Sequence, residues 1–329
     1  MQRFLTLNKL EFLETFQNEL SCKFKGTQNW WTKSLFHFTD ILNAVSIINN
    51  KHIFSRAKTM EFGLMKNDNA NDDVIYRTCD EYKQYVRLYF GPSTPTQKNN
   101  EGIKPKEQIV NNAHCPIPIM FVFDFKKIFM LDDIKFTDGN LAKNPNIYNS
   151  IFDLTRLNFN LIYHRSWFYP EDRDVIINSR HSEVLIKDYL NLDNNLRLIA
   201  TRSEAEKETL IYMLPDELKL KYQNKIYVQP QTGIFINDWL YVNKVSIVEN
   251  QIHIDWHKCS NSLHCESKYD LLIEAKNIYT GNIRKFAQSN WYPAKSKLKI
   301  NLPMDFNIRQ FELSIKIDDI ISYHNLLYT

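Results

Sequence analysis

The stretch YVRLYFGPSTPTQKNNEG, Tyr85 to Gly102, turns an apolar run into a polar loop within a few residues. Tyr85, Val86, Leu88, Tyr89 and Phe90 favour a strand, which Pro92 and Pro95 bring to an end. Arg87 interrupts the run, so this strand is not expected to face a core on both sides. Upstream, LFHFTDILNAVSIINNKHIFSR (Leu35 to Arg56) reads as a strand entering a short helix. Thr39 or Asp40 suits the N-cap, and the spacing of Ile41, Leu42, Ala44, Val45, Ile47 and Ile48 suits the helix. That places His37 at the end of an incoming strand, where an imidazole can meet a ligand. Between these segments, Met65 to Asp80 is polar and rich in Asn and Asp, as expected of a loop or lid.

Downstream, IPIMFVFDFKKIFML (Ile117 to Leu131) predicts a buried strand and then a turn or short helix. FTDGN at Phe136 to Asn140 is a turn signal, and Val184 to Ile186 is another strand. Leu10, Phe12, Leu13, Phe16 and Leu20 have the spacing of an amphipathic helix packed on the main domain. SEAEKETLIYML, from Ser203, reads as a charged helix followed by a linker-like stretch. Beyond it, WLYVNKVSIVE, NQIHIDWHK, YDLLIEAKNIY, SKLKINLP and RQFELSIKI alternate apolar and polar residues, the mark of antiparallel strands with one face in a core.

A chain of 329 residues exceeds what one core usually organises. The expected division is a helical extension over residues 1–33, a mixed α+β domain over 34–228 and a C-terminal all-β sandwich over 229–329. The 41 basic and 38 acidic residues nearly cancel, so contact with a polyanion has to use a local patch. Five irregularly spaced cysteines suit a reducing cytoplasm. The N-terminal segment has the features of neither a secretory signal nor a membrane span. Only seven glycines are present, with no GxGxxG or GxxxxGK[ST], so a bound nucleotide would be held without a Rossmann or P-loop device. GxSxG, HExxH and the kinase set are also absent. His257, Cys259, His264 and Cys265 invite a zinc site, but their spacing lacks the paired geometry of structural zinc, and no metal is expected.

Glu183, in RHSEVLI (Arg180 to Ile186), opens an apolar strand. An acid there is costly unless it is paired, used or turned to solvent. Ahead of it, Arg156, His164, Arg165, Trp167, Arg173, Arg180 and His181 interleave cations and rings. Such a segment suits single-stranded nucleic acid, and equally a charged surface segment packed by its aromatics.

In the order HFTD, YFGPSTP and RHSEVLI, the chain resembles the DarT family of nucleic-acid ADP-ribosyltransferases over roughly residues 35–205. The resemblance implies an ADP-ribosyltransferase-like mixed β core with peripheral helices, and NAD as substrate. It implies that His37 and Thr39 contact the ribose and nicotinamide amide, and that Tyr89 or Phe90 lines the nicotinamide pocket. Glu183 falls on the catalytic glutamate. Arg56, with Arg77 as the competing residue, falls on an essential arginine supporting the NAD phosphates or that glutamate. Arg165, Arg180 and His181 become contacts to nucleic acid. Family members commonly carry arginines where this chain has Gly91 and Ser93, a departure bearing on phosphate or substrate contacts. The activity implied is transfer to a base of single-stranded DNA, guanine ahead of thymine, by a cytoplasmic toxin or anti-phage effector partnered by an antitoxin or phage-derived protein. An RNA-base enzyme, a protein-modifying enzyme and a catalytically inactive binding module are the alternatives.

Overall fold

Ten strands build the first part of the chain: β1 (Ser34–Asp40), β2 (His52–Phe54), β3 (Tyr85–Tyr89), β4 (Pro118–Asp124), β5 (Lys135–Thr137), β6 (Ile147–Tyr148), β7 (Glu183–Lys187), β8 (Tyr189–Asn191), β9 (Leu196–Thr201) and β10 (Ile226–Val228). The computed structural model describes residues 2–68, 72–229, 232–249, 251–257, 267–293, 296–301 and 310–328. Eight strands form one mixed sheet in the order β10-β9-β4-β1-β3-β7-β5-β6, while β2 and β8 pair separately. All its described pairings are antiparallel except β9 with β10.

β4 is buried along nearly its whole length, as its run of Ile119, Met120, Phe121, Val122 and Phe123 requires of a strand covered on both faces. It leads into the helix Phe125–Phe129, whose N-cap Asp124 accepts from the Lys127 amide at 3.0 Å. Asp40 caps the helix Ile41–Asn50 in the same way, accepting from the Leu42 amide at 3.0 Å. β1 runs on to Asp40, so His37 stands in mid-strand rather than at the strand's end. The N-terminal helix Gln2–Lys23 docks through Leu13, Phe16 and Leu20, with the Phe16 ring packed against Phe125 and Phe159.

The expected lid contains a helix, Asp72–Arg77. The stretch expected as a linker is structured too: the helix Asp216–Tyr222 buries Leu218 and Tyr222, and β10 then extends the main sheet. The C-terminal strands are β11 (Tyr241–Val248), β12 (Gln251–His257), β13 (Tyr269–Asn277), β14 (Ile283–Trp291), β15 (Lys297–Asn301), β16 (Gln310–Ile317) and β17 (Ile320–Tyr328). They form sheets ordered β11-β12-β15 and β14-β13-β16-β17. Val242, Ile254, Leu271, Ile273, Leu313 and Ile315 fill one core between them, giving the α+β fold with an all-β C-terminal part.

The two parts share buried contacts. Ile103 and Ala205 belong to the C-terminal core, and the Ser203 hydroxyl donates to the Val242 carbonyl at 2.8 Å. Arg202 is 1% exposed; it bonds Glu206 and the Pro116 carbonyl, lies 3.8 Å from Glu101 and stacks over the Tyr241 ring. Glu101 in turn accepts from the Ile236 and Asn237 amides. Burying this charge requires such partners, and they come from both sides of the junction.

Candidate active site

The sheet order sets β1, β3 and β7 side by side, bringing together residues that lie far apart in sequence. Tyr89 stands opposite Glu183 in the β3–β7 register. The His37 Nδ1 donates to the Arg87 carbonyl at 3.1 Å. Because a carbonyl can only accept, this bond assigns the proton to Nδ1 and leaves the Nε2 lone pair available. Burial holds the His37 pKa below its ordinary value, partly offset by that hydrogen bond, so the ring is neutral. His37, Thr39, Arg56, Arg87 and Tyr89 line one cavity of about 280 Å³.

Glu183 lies behind this wall, only 3% exposed. Its amide donates to the Thr137 hydroxyl at 3.0 Å, and that hydroxyl donates to the Gly139 carbonyl at 2.7 Å, so the FTDGN turn pins the start of β7. Burial pushes the carboxyl pKa up, while Arg87 and the Tyr89 hydroxyl pull it down. Arg87 Nη1 is 3.9 Å from Oε1. No hydrogen bond reaches the buried Oε2 among the described residues. The phenol of Tyr89 is driven upward by burial and then by the carboxylate beside it, so it stays protonated.

Arg56 reaches the cavity wall but is bound to Asp68 through both terminal guanidinium nitrogens, Nη1 and Nη2. Arg77 ends an exposed helical turn and is not among the cavity-lining residues. Arg87 was not foreseen as a site residue; its one signal was a charge inside an apolar strand. Phe90 corrects an expectation. It is fully buried among Phe125, Phe129, Phe136 and Phe159, because neighbouring strand residues point to opposite faces and Tyr89 takes the cavity side.

The residues expected to bind nucleic acid make hydrogen bonds within the chain. Arg180 donates to the Ser93 carbonyl. His181 is 8% exposed, with Nδ1 bonding the Ile177 carbonyl at 2.8 Å and Nε2 bonding the Thr96 hydroxyl at 3.0 Å. Arg165 donates to the Gly233 carbonyl at 2.6 Å and stacks over Trp31, though its side chain remains on the surface. These side chains thus supply donors to main-chain carbonyls, that of buried Ser93 among them. Trp167 and Tyr169 are the exposed rings of that segment, in an edge-on pair. The departure at Gly91 and Ser93 also has a packing reason. A Cβ on Gly91 would stand 3.2 Å from the Tyr163 ring, and Ser93, at φ 55°, donates to the Gly233 carbonyl. Of the proposed zinc residues, Cys259, His264 and Cys265 lie outside the described residues; His257 stacks on Tyr241 and bonds the Asn237 carbonyl.

The mixed sheet thus sets a neutral histidine, an arginine and a tyrosine on one cavity wall, with a buried glutamate beside the tyrosine. A family model described as "ssDNA thymidine ADP-ribosyltransferase, DarT" matches residues 36–240. The chain therefore belongs to the DarT family and is an NAD-dependent ADP-ribosyltransferase. Similar solved structures include Thermus sp. 2.9 DarT in complex with ADP-ribosylated ssDNA, at 14% identity and a TM-score of 0.49 over 61% of this chain and 95% of that one. The same Thermus protein in complex with NAD+ gives 13% identity and a TM-score of 0.46 over 61% and 96%. Thermosipho africanus DarTG in complex with ADP-ribose gives 16% and 0.46 over 66% and 54%. No curated protein matches the chain.

Proposed function

We propose that the chain transfers ADP-ribose from NAD to a base of single-stranded DNA, guanine ahead of thymine, as a cytoplasmic toxin or anti-phage effector. An antitoxin or phage-derived protein would be its partner. The observation that carries the chemistry is Glu183, buried and inward-facing behind a wall formed by Arg87 and Tyr89, with His37 on the same cavity. An outward-facing Glu183 would have favoured the inactive binding module instead.

Breaking the glycosidic bond sends its electron pair out with neutral nicotinamide and leaves positive charge on the ribose carbon. A carboxylate at the ribose hydroxyls stabilises that charge more than it does the ground state. His37, with Nε2 accepting, and Thr39 would orient the ribose and amide. The Tyr89 ring would stack on the nicotinamide. The acceptor base nitrogen forms the new bond to the ribose carbon and gives its proton to the Glu183 carboxylate, so one group serves both stages. Arg56 would release Asp68 to meet the NAD phosphates. The chemistry requires no metal. Guanine is favoured on the RLYF and HFTD elements, whereas the family description names thymidine.

The test incubates the full chain and labelled NAD with single-stranded DNA and RNA oligonucleotides of defined base content, alongside Glu183→Gln. Label on guanine in DNA, lost in the variant, is the expected result. Label on thymine or on RNA reassigns the acceptor, and label on protein alone refutes the nucleic-acid reading.

A further inference from the structure

The proposed chemistry asks two things of Glu183: a carboxylate that stays ionised although buried, and a fixed position beside the cavity. The residue expected to help it, Arg56, is engaged with Asp68. The cation at the carboxylate is Arg87, from the middle of β3, with its side chain 26% exposed and Nη1 3.9 Å from Oε1. The same residue's carbonyl accepts the His37 Nδ1 proton at 3.1 Å. Arg87 thus touches both ends of the site, by its side chain towards β7 and by its main chain towards β1.

We infer that Arg87 is a positioning residue: its guanidinium draws the Glu183 carboxylate towards β3 and keeps it ionised, while its carbonyl turns His37 with Nε2 facing the cavity. This rests on the proposed transfer reaction, but its physical basis can be measured without that reaction. At such separation in a poorly solvated site, opposite charges attract strongly enough to favour the ionised carboxyl. Among the described residues, the other groups around Glu183 do not supply this charge. On β3, Tyr89 contributes a neutral hydroxyl. On β5, Thr137 is spent on the Glu183 amide and Lys135 faces Glu81 and the Tyr85 ring. Just ahead of β7, Arg180 and His181 bond Ser93, Ile177 and Thr96, and on β1 His37 is neutral.

The inference also accounts for an arginine inside a strand of otherwise apolar and aromatic residues. Alternation gives Tyr85, Arg87 and Tyr89 one face, where Arg87 keeps part of its guanidinium at the cavity and reaches the carboxylate with the rest.

The experiment follows the carboxyl resonance of Glu183 by 13C NMR across pH in the full chain, assigned by its loss in Glu183→Gln, in wild type, Arg87→Met, Arg87→Gln and Arg87→Lys. The titration midpoint is expected to rise by about one unit or more without the charge and to return towards wild type with Lys. The acid limb of the kcat profile for transfer moves with it, while KM for NAD changes little. If Arg87→Met does not fold, Arg87→Gln carries the same expectation. A midpoint unmoved in the folded neutral variants overturns the inference. A raised KM with an unmoved midpoint assigns Arg87 to the NAD phosphates and overturns it too. A wild type that shows the titration but labels no nucleic acid refutes the proposed function and leaves the role of Arg87 standing.

Discussion

Replacing Glu183 by Gln should stabilise the folded chain while removing transfer. The carboxylate is 3% exposed, its Oε2 lacks a hydrogen bond among the described residues, and Arg87 offsets only part of the burial cost from 3.9 Å. A buried polar group without its partner costs about 1–3 kcal/mol, more when charged. Arg87 and Tyr89 offset some of this, so a neutral isostere should recover about 1–2 kcal/mol, raising Tm by about 2–6 °C. The pH dependence carries the sign. The folded pKa is raised above the reference value of 4.5, so between the two values the native state holds more protons than the unfolded one. Wild-type stability from this group is therefore fully present below 4.5 and falls as pH rises through the folded pKa. Paired thermal unfolding at about pH 5 and pH 8 should show the advantage of Gln growing towards pH 8, with transfer reduced about 10²–10⁴-fold. A variant less stable than wild type at pH 8, or an advantage that does not depend on pH, refutes the reasoning.

Arg202→Met strands Glu206 and Glu101 in the junction between the two parts of the chain, so denaturant midpoints should report a loss of about 3–5 kcal/mol. Adding Glu206→Met should recover part of that loss. Phe90→Ala opens a cavity among four phenylalanines and should cost about 3–5 kcal/mol, with the KM for NAD of the folded fraction unchanged, since Phe90 is not a wall residue. His37 has a depressed folded pKa, so its contribution is complete above the reference value of 6.5 and is lost as pH falls through the folded pKa. His37→Gln should flatten that acid-side loss in paired unfolding curves, while raising KM for NAD in the transfer assay.

Local chemistry marked the elements that carry His37, Thr39, Tyr89 and Glu183, because an alternating run, an N-cap and a turn before an apolar strand are short-range signals, whereas their roles came only from the family resemblance. Arg56 was legible only as a nearby charge, since pairing with Asp68 depends on how the intervening chain folds back. The internal partners of Arg165, Arg180 and His181 were hidden for a related reason: a cation beside aromatics has the same composition whatever it bonds, and only the folded chain brings Ser93, Thr96 and Gly233 to them.

Periodicity by itself determined that a mixed α+β region precedes an all-β one, because side-chain alternation and helix caps act within a few residues. It also marked Tyr89 and Phe90 as a pair on one strand. Tertiary structure alone decided which ring faced the cavity. It also put β3 between β1 and β7, so that a charge in an apolar strand met a glutamate almost a hundred residues away. Strand order is set by which faces can be buried together over the whole chain, and no local window contains that information.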